Sequence, residues 1–427
     1  MKKQMKIKTG IILLAILSTF LISCGYEPVF YGIMHDVLPE EATVSGNISA
    51  IARCTIDSGN GAEEYLFLSG GGTLKYKNND SAKHGEWKTY NNLPFEKHRY
   101  NYFPTSSTPE GHIGQQIFRV LADQNNIYLL TASYRTDTDY GIVLPAKFYL
   151  WTCPLDNFFN SKKSDWKNIT DGKEDTYYPT KYNSSEGIFE TYFTFFMTNS
   201  PKKEHRHVFL STSTSNKSTV KYYKLNGTDI DEIDSNTFTG NYIPTNENNT
   251  KVNSAFYLGN TLYYSDSLAV TTNETFDTAA TIACLGGMTK NYYLNSHLFT
   301  YDGTNLTEAV DVGSPIASLT MTKDSVLIGK GSYYSTYTSN GGISRVLLDA
   351  DGKPENTTAE FTNNAKYQFT SSYILMSLLC ADPSKTEEES SLYATITFRG
   401  TGTSSTASFS NIGLWSYYPS RGNWNRE

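Results

Sequence analysis

The chain has 427 residues, with 36 Lys and Arg against 43 Asp and Glu, a formal charge of -7 and no long basic block. A phosphate backbone is bound by clustered cations that displace its counterions, so nucleic acid is excluded as an expected partner. Aromatic residues make up 14% of the chain, 32 of them Tyr, while charged residues are only 19%, a balance that favours half-buried pleated surfaces over helices.

The first element is an export segment. Lys2, Lys3, Lys6 and Lys8 precede the uncharged apolar run Ile11 to Ile22, which is shorter than the roughly 20 residues of a permanent bilayer-spanning helix. The run closes on Leu21-Ile22-Ser23-Cys24, which resembles the lipobox of bacterial lipoproteins. The resemblance implies that residues 1–23 are a signal peptide removed before Cys24, and that the Cys24 thiol carries a lipid. No second apolar run approaches a spanning length, so this lipid anchor is the expected contact with a membrane. Gly25 stands where Asp would retain an enteric lipoprotein at the inner membrane. The expected location is therefore the bacterial cell envelope, the outer membrane rather than the inner, with its periplasmic or surface face open.

Residues 24–45, with Pro28 and Pro39 and no sustained period, read as the lipidated Cys and a tether. From residue 46 to 427 the chain becomes short apolar or alternating runs separated by Gly, Asn, Asp, Ser and Thr, the pattern of strands and turns. One apolar strand opens each of six units: Ile48 to Cys54, Ile117 to Ala122, Phe189 to Met197, Ser254 to Leu258, Ile316 to Met321 and Tyr373 to Cys380. A second strand follows in five of them, at Tyr65 to Leu68, Ile127 to Leu130, Val208 to Leu210, Ser325 to Ile328 and Ser391 to Ala394. Each unit then closes with a hairpin. Three turn on Asn226-Gly227, Asp302-Gly303 and Asp351-Gly352, pairs that adopt positive backbone dihedrals at little cost. In the other three an aromatic strand is answered by Trp87, Trp166 or Trp424, each expected to cover its neighbour as core packing rather than to stack on a ligand.

Units that cannot bury an apolar face alone, repeated around the chain, predict an all-β fold and a single β-propeller domain over 46–427. The expected blade number is six, or seven if Lys251 to Val312 holds two units opening at Ser254 and Thr281. Six units over 382 residues average about 64 each, longer than the roughly 40 to 50 of common propeller repeats, so long loops are expected. Paired β-sandwiches are the competing architecture. A Lys-, Asn- and Tyr-rich propeller behind a lipobox resembles the lipoproteins of spirochaetes, which implies a location and little else.

Few residues carry a chemical signal. His205-Arg206-His207 would put two imidazoles on one face of a strand, but two ligands are not a metal site and Lys202, Lys203 and Arg206 repel a cation; a solvated strand entrance is expected. Asp349-Ala350-Asp351-Gly352 lacks the other ligands of a calcium loop and reads as a tight turn. Asp229, Asp231 and Asp234 read as charge protecting a sheet edge, and Glu387-Glu388-Glu389 as a solvated hairpin loop. Asn47, Asn168, Asn226 and Asn305 read as turn residues rather than glycosylation sites, and Cys54, Cys153, Cys284 and Cys380 as buried free thiols. No phosphate loop, nucleophile elbow or Cys-His pair is present, so no catalytic residue, metal ligand or cofactor is expected. The function expected is a lipid-anchored envelope protein of binding or assembly, presenting propeller loops to a protein or glycan partner. An envelope glycan hydrolase or lyase with a site in an axial cleft is the alternative.

Overall fold

The computed structural model describes residues 44, 48–57, 61–70, 72–79, 87–96, 114–137, 142–173, 182–183, 188–189, 191–197, 206–214, 220–233, 250–258, 261–269, 292–301, 306–312, 316–330, 342–350, 352–360, 373–398, 413–420 and 423–427. Among these the fold is all-β, with two short 3-10 turns, Phe158–Asn160 and Lys163–Asp165, and no α-helix. No helix among them is long and apolar enough to cross a membrane.

The strands fall into six four-stranded antiparallel sheets, each built from four consecutive strands in simple order. The first is β1 (Ile48–Asp57), β2 (Ala62–Gly70), β3 (Thr73–Asn78) and β4 (Lys88–Tyr90). The second is β5 (Gln116–Ala122), β6 (Asn126–Asp137), β7 (Ile142–Pro154) and β8 (Lys167–Asn168). A two-residue hairpin, β9 (Tyr182–Asn183) and β10 (Ile188–Phe189), precedes the third, which is β11 (Thr191–Met197), β12 (Val208–Thr214), β13 (Val220–Asn226) and β14 (Asp229–Ile233). The fourth is β15 (Thr250–Leu258), β16 (Thr261–Ala269), β17 (Tyr292–Tyr301) and β18 (Leu306–Asp311). The fifth is β19 (Ile316–Met321), β20 (Ser325–Lys330), β21 (Gly342–Leu348) and β22 (Pro354–Glu360), and the sixth β23 (Tyr373–Cys380), β24 (Leu392–Phe398), β25 (Gly413–Tyr418) and β26 (Asn423–Arg426).

The first strands pack beside one another in the order β1, β5, β11, β15, β19, β23, and β23 returns to β1. The arrangement is therefore propeller-like: each sheet lies against the next with its first strand toward a common centre. A sandwich would need strands crossing between two face-packed sheets, and every sheet here is made of consecutive strands. Val44, just outside the first sheet, is already part of the fold, being buried and donating its N–H to the Glu427 carbonyl at 2.9 Å.

Strand alternation explains how a sheet feeds two seams at once. On β1, Ala50, Ala52, Cys54 and Ile56 enter the core shared with the second sheet, together with Phe67, Leu74, Ile117, Val120, Leu129 and Trp166. Ile48 and Ile51 instead join Leu66, Leu68, Leu379, Tyr393 and Leu414 in the core shared with the sixth. A β-bulge between Ile48 and Ala50 brings Ile48 and Ile51 to the same side. Comparable register shifts interrupt β5, β15, β19 and β23 near their starts, so five of the six first strands carry one. Such bulges sharpen the local twist, which suits strands crowded round a centre. Two further seams are described: Leu298 and Val310 of the fourth sheet pack on Leu319, Met321 and Val346 of the fifth, and Leu327 and Ile343 of the fifth pack on Leu378, Trp415 and Trp424 of the sixth.

Several turns behave as their chemistry requires. Gly227 and Gly352 take φ of 61° and 77°, the left-handed region in which a Cβ is strained. Asp349 Oδ1 accepts the Lys353 N–H at 2.8 Å and its carbonyl the Gly352 N–H at 3.0 Å, while Asp351 lies outside the described residues. Asn168 Oδ1 accepts from the Thr170 N–H and hydroxyl at 3.2 and 3.1 Å. Asp229 and Asp231 are exposed on β14, an outer strand, where charge discourages pairing with another chain. Asp234 lies outside the described residues.

Candidate functional site

Contacts between hairpins show which loops share a side. The connections between first and second strands and between third and fourth strands meet across neighbouring sheets: Asn157 N–H reaches the Asp57 carbonyl at 3.4 Å, Gly227 N–H the Tyr128 hydroxyl at 2.9 Å, and Glu387 N–H the Asp324 carboxylate at 3.2 Å. This loop side carries the most concentrated charge chemistry in the described chain.

At its centre sit Arg53 and Arg206, both almost wholly buried. Arg53 and Thr55 are two apart on β1, so they share a face, and Glu64 on β2 is the register partner of Thr55. Glu64 thereby becomes the counter-charge for both arginines. Arg206 Nη2 lies 2.8 Å from Glu64 Oε1 and Arg53 Nε 3.4 Å from Glu64 Oε2. Thr55 Oγ1 donates to Glu64 Oε1 at 3.1 Å and accepts from Arg206 Nη1 at 3.2 Å. Asn79 Nδ2 reaches Glu64 Oε2 at 3.5 Å and the Ala381 carbonyl at 2.8 Å, and Arg53 Nη1 reaches the same carbonyl at 3.3 Å.

Arg206 belongs to the connection from β11 to β12 in the third sheet, yet its partners belong to the first. The second sheet lies between those two around the ring, so the contact joins sheets that are not neighbours. Ala381, just after β23, brings in the sixth sheet. Two guanidiniums on one carboxylate leave a formal charge of +1, and burial lowers Arg53 to about 10, helped by repulsion from Arg206 and opposed by the attraction of Glu64. Thr55, Arg206 and Asn79 donate to the Glu64 carboxylate, and Arg53 stands beside it as an ion pair. The arrangement is a lock between loops rather than a set of reacting groups.

A second cluster closes the seam between the first and sixth sheets. The Lys77 ammonium lies 5.0, 4.7 and 5.4 Å from the ring centres of Trp87, Tyr393 and Tyr418. It donates to the Tyr418 hydroxyl at 2.7 Å and approaches Glu427 Oε2 at 3.5 Å. Trp87 Nε1 and the Tyr418 hydroxyl donate to the same carboxylate at 2.9 and 2.6 Å. Burial lowers Lys77 to about 8 even though Glu427 pulls the other way. Burial alone would raise Glu427, but Lys77 and the Tyr418 and Trp87 hydrogen bonds outweigh it and hold its carboxyl below the usual range. A third, smaller cluster joins the fifth and sixth sheets, where Glu387 Oε2 accepts from Arg345 Nη1 at 3.3 Å and burial raises the Glu387 carboxyl against the pull of Arg345.

Two expectations are corrected. Arg206 is 2% exposed rather than part of a solvated strand entrance, because Glu64 and Thr55 satisfy its charge inside the ring; His205 lies outside the described residues. Glu387 is 1% exposed rather than solvated, because Arg345 pairs with it, while Glu388 and Glu389 do face solvent. Trp166 and Trp424 are buried in inter-sheet cores, and Trp87 packs against one. Cys54, Cys153 and Cys380 are free and buried, which pushes each thiol up, Cys153 and Cys380 to about 11. Cys24, Cys284 and all of residues 1–43 lie outside the described residues. Among the described residues no group of three or more His, Cys, Asp or Glu is placed to hold a metal ion. Arg53, Glu64, Lys77 and Glu427 were not singled out by sequence; the one available signal was a charged residue inside an apolar alternation, as in Ile51-Ala52-Arg53-Cys54.

No protein-family model matches the chain, and no curated protein matches it. Among solved structures it is similar to the fucose-specific lectin from Aleuria aurantia, at 8% identity over 89% of this chain and 96% of that one, with a TM-score of 0.37. It is also similar to an exo-β-1,3-galactanase from Phanerochaete chrysosporium, at 9% identity over 79% and 70% of the two chains with a TM-score of 0.34. A GH43 endo-arabinanase from Bacillus licheniformis gives 13% identity over 74% and 99%, with a TM-score of 0.31. Likeness at this level carries no functional information.

Proposed function

We propose that the chain is a lipid-anchored protein of the bacterial cell envelope, in which a six-bladed propeller presents its loop side to a protein or glycan partner. The anchor is the Cys24 thiol, read from Leu21-Ile22-Ser23-Cys24, with the outer membrane the expected location. The observation that carries a binding role is Arg206 held on Glu64, which ties together loops of sheets that are not neighbours in the ring. A hydrolase working in an axial cleft needs two carboxyl groups about 5 to 10 Å apart with room for a sugar between them. Here the carboxylate among the joined loops, Glu64, is paired with two buried guanidiniums, Arg53 and Arg206. Loops tied together in this way form a rigid rim, which lowers the ordering cost of binding.

The test is photo-crosslinking in living cells. A photoreactive residue placed at the exposed loop-side positions Asn125, Lys323 or Ser384 is expected to give discrete adducts, whereas one at Asn91 or Glu96, on the opposite side, is not. Adducts confined to Asn91 and Glu96, or none at any position, contradict the reading.

A further inference from the structure

The hairpin between β13 and β14 carries a reactive pair of residues at its tip. Asn226 ends β13 and pairs with Asp229, so Gly227 and Thr228 make a two-residue turn, with Gly227 in the left-handed region at φ of 61°. Asn226 is exposed. Its side-chain amide carbon stands beside the Gly227 backbone nitrogen, which no Cβ shields, and attack by that nitrogen closes a cyclic succinimide. In the folded chain the nitrogen is occupied. Gly227 N–H donates to the Tyr128 hydroxyl at 2.9 Å, and this hydroxyl, on a fully buried ring of the second sheet, donates to Asp123 Oδ2 at 2.7 Å. Asp123 is fixed in turn, since its Oδ1 accepts the N–H groups of Asn125 and Asn126, both at 2.7 Å. Attack requires the Gly227 nitrogen to lose its proton and turn toward the Asn226 side chain, whereas the hydrogen bond keeps the proton in place and aims it at the neighbouring sheet. Burial, with Asp123 beside it, pushes the Tyr128 hydroxyl up, so it stays protonated and does not take the amide proton.

We propose that Asn226 is a site of self-modification and that Tyr128 is the residue that holds the reaction back. When the hairpin tip leaves the second sheet, the Gly227 nitrogen gives up its proton and bonds to Asn226 Cγ, the Cγ–Nδ2 bond breaks, and ammonia departs carrying that proton. Water then opens the succinimide to aspartate or isoaspartate, and no oxidant or cofactor enters. Either product sets a carboxylate at 226 directly opposite its register partner Asp229, where like charges oppose pairing. Isoaspartate also adds a methylene to the backbone of a tight turn, which moves Gly227 off the Tyr128 hydroxyl. The result is a one-way loosening of the contact between the second and third sheets. It is independent of the binding role proposed above.

The test incubates the full chain, purified in detergent, in mildly alkaline buffer, folded and in urea, and follows residue 226 by peptide mapping that separates Asn, Asp and isoaspartate. Conversion is expected in urea. In the folded chain it should be slowed by the same factor, within about tenfold, as hydrogen exchange at the Gly227 amide, because both need the same local opening. Tyr128→Phe should speed conversion of the folded chain by about tenfold, and by more than Glu427→Gln, which weakens a different seam. Absence of conversion at 226 in urea, a folded-state slowing outside the range set by exchange, or a Tyr128→Phe rate no faster than wild type or than Glu427→Gln overturns the proposal. If Tyr128→Phe does not fold, the comparison of conversion with exchange in the wild type decides alone.

Discussion

Arg206 Nη2 stands 2.8 Å from Glu64 Oε1, joining residues 142 positions apart and sheets that are not neighbours in the ring. The pair shares Glu64 with Arg53, so removing the carboxylate leaves two buried guanidiniums facing each other. Glu64→Gln is therefore expected to cost more stability than Arg206→Met, which removes a buried charge together with its need for a partner. A fully buried pair costs about 3 to 5 kcal/mol to break; Glu64 is 34% exposed, so solvent screening reduces the expected loss to about 2 to 3 kcal/mol for Glu64→Gln. Denaturant unfolding of the two single variants and the double variant checks this. The double variant should lose less than the sum of the two, and strict additivity would show that the contact is not a coupling.

Glu427 ties the last strand to the first sheet. Its side chain is fully buried and accepts from Trp87 and Tyr418 while facing Lys77. Glu427→Gln keeps the shape but leaves the Lys77 cation without a counter-charge. A loss of about 3 kcal/mol is expected, accompanied by a change in Trp fluorescence from Trp87. Stability within about 0.5 kcal/mol of wild type would mean that the aromatic rings alone hold the cation.

Lys77 gives a pH dependence of defined sign. Its folded value is lowered to about 8 from 10.5, so between those values the unfolded chain binds more protons than the folded one, and this group's contribution to stability rises with pH. Below about pH 8 its cost is fully present; as pH climbs toward 10.5 that cost is progressively removed. The stability of wild type minus that of Lys77→Met, followed by thermal unfolding, should therefore rise between pH 8 and 10. A difference that falls across this window contradicts the assignment.

The Tyr128 hydroxyl bridges two sheets, donating to Asp123 Oδ2 at 2.7 Å and accepting from Gly227 N–H at 2.9 Å. Tyr128→Phe removes both bonds from a buried site and is expected to cost about 1 to 3 kcal/mol. Hydrogen exchange at the Gly227 amide should accelerate, and unchanged protection there would show that another acceptor has taken over.

The architecture was largely legible because first strands are apolar on both faces: Ile316 to Met321 and Tyr373 to Cys380 match β19 and β23. The partner strand in the fourth sheet, β16 over Thr261–Ala269, was missed because Tyr263-Tyr264-Ser265-Asp266-Ser267 lacks the aliphatic run that marked the others. The three adjacent glutamates show what composition hides. Glu387, Glu388 and Glu389 are identical as letters, and only Arg345, 42 residues upstream, separates the buried one from its neighbours. Arg206 is a similar case, since its surroundings Lys202 and Lys203 suggest solvent while its charge is satisfied by Glu64, far away in sequence. Long-range ion pairs have no local signature, so the centre of the loop side emerges only from the fold.

The most direct measurement is the intact mass of the native protein extracted from bacterial membranes. The account predicts a polypeptide beginning at Cys24, without residues 1–23, with a diacylglycerol thioether on that thiol. A product that retains residues 1–23, or one that starts at Cys24 with an unmodified thiol, contradicts it.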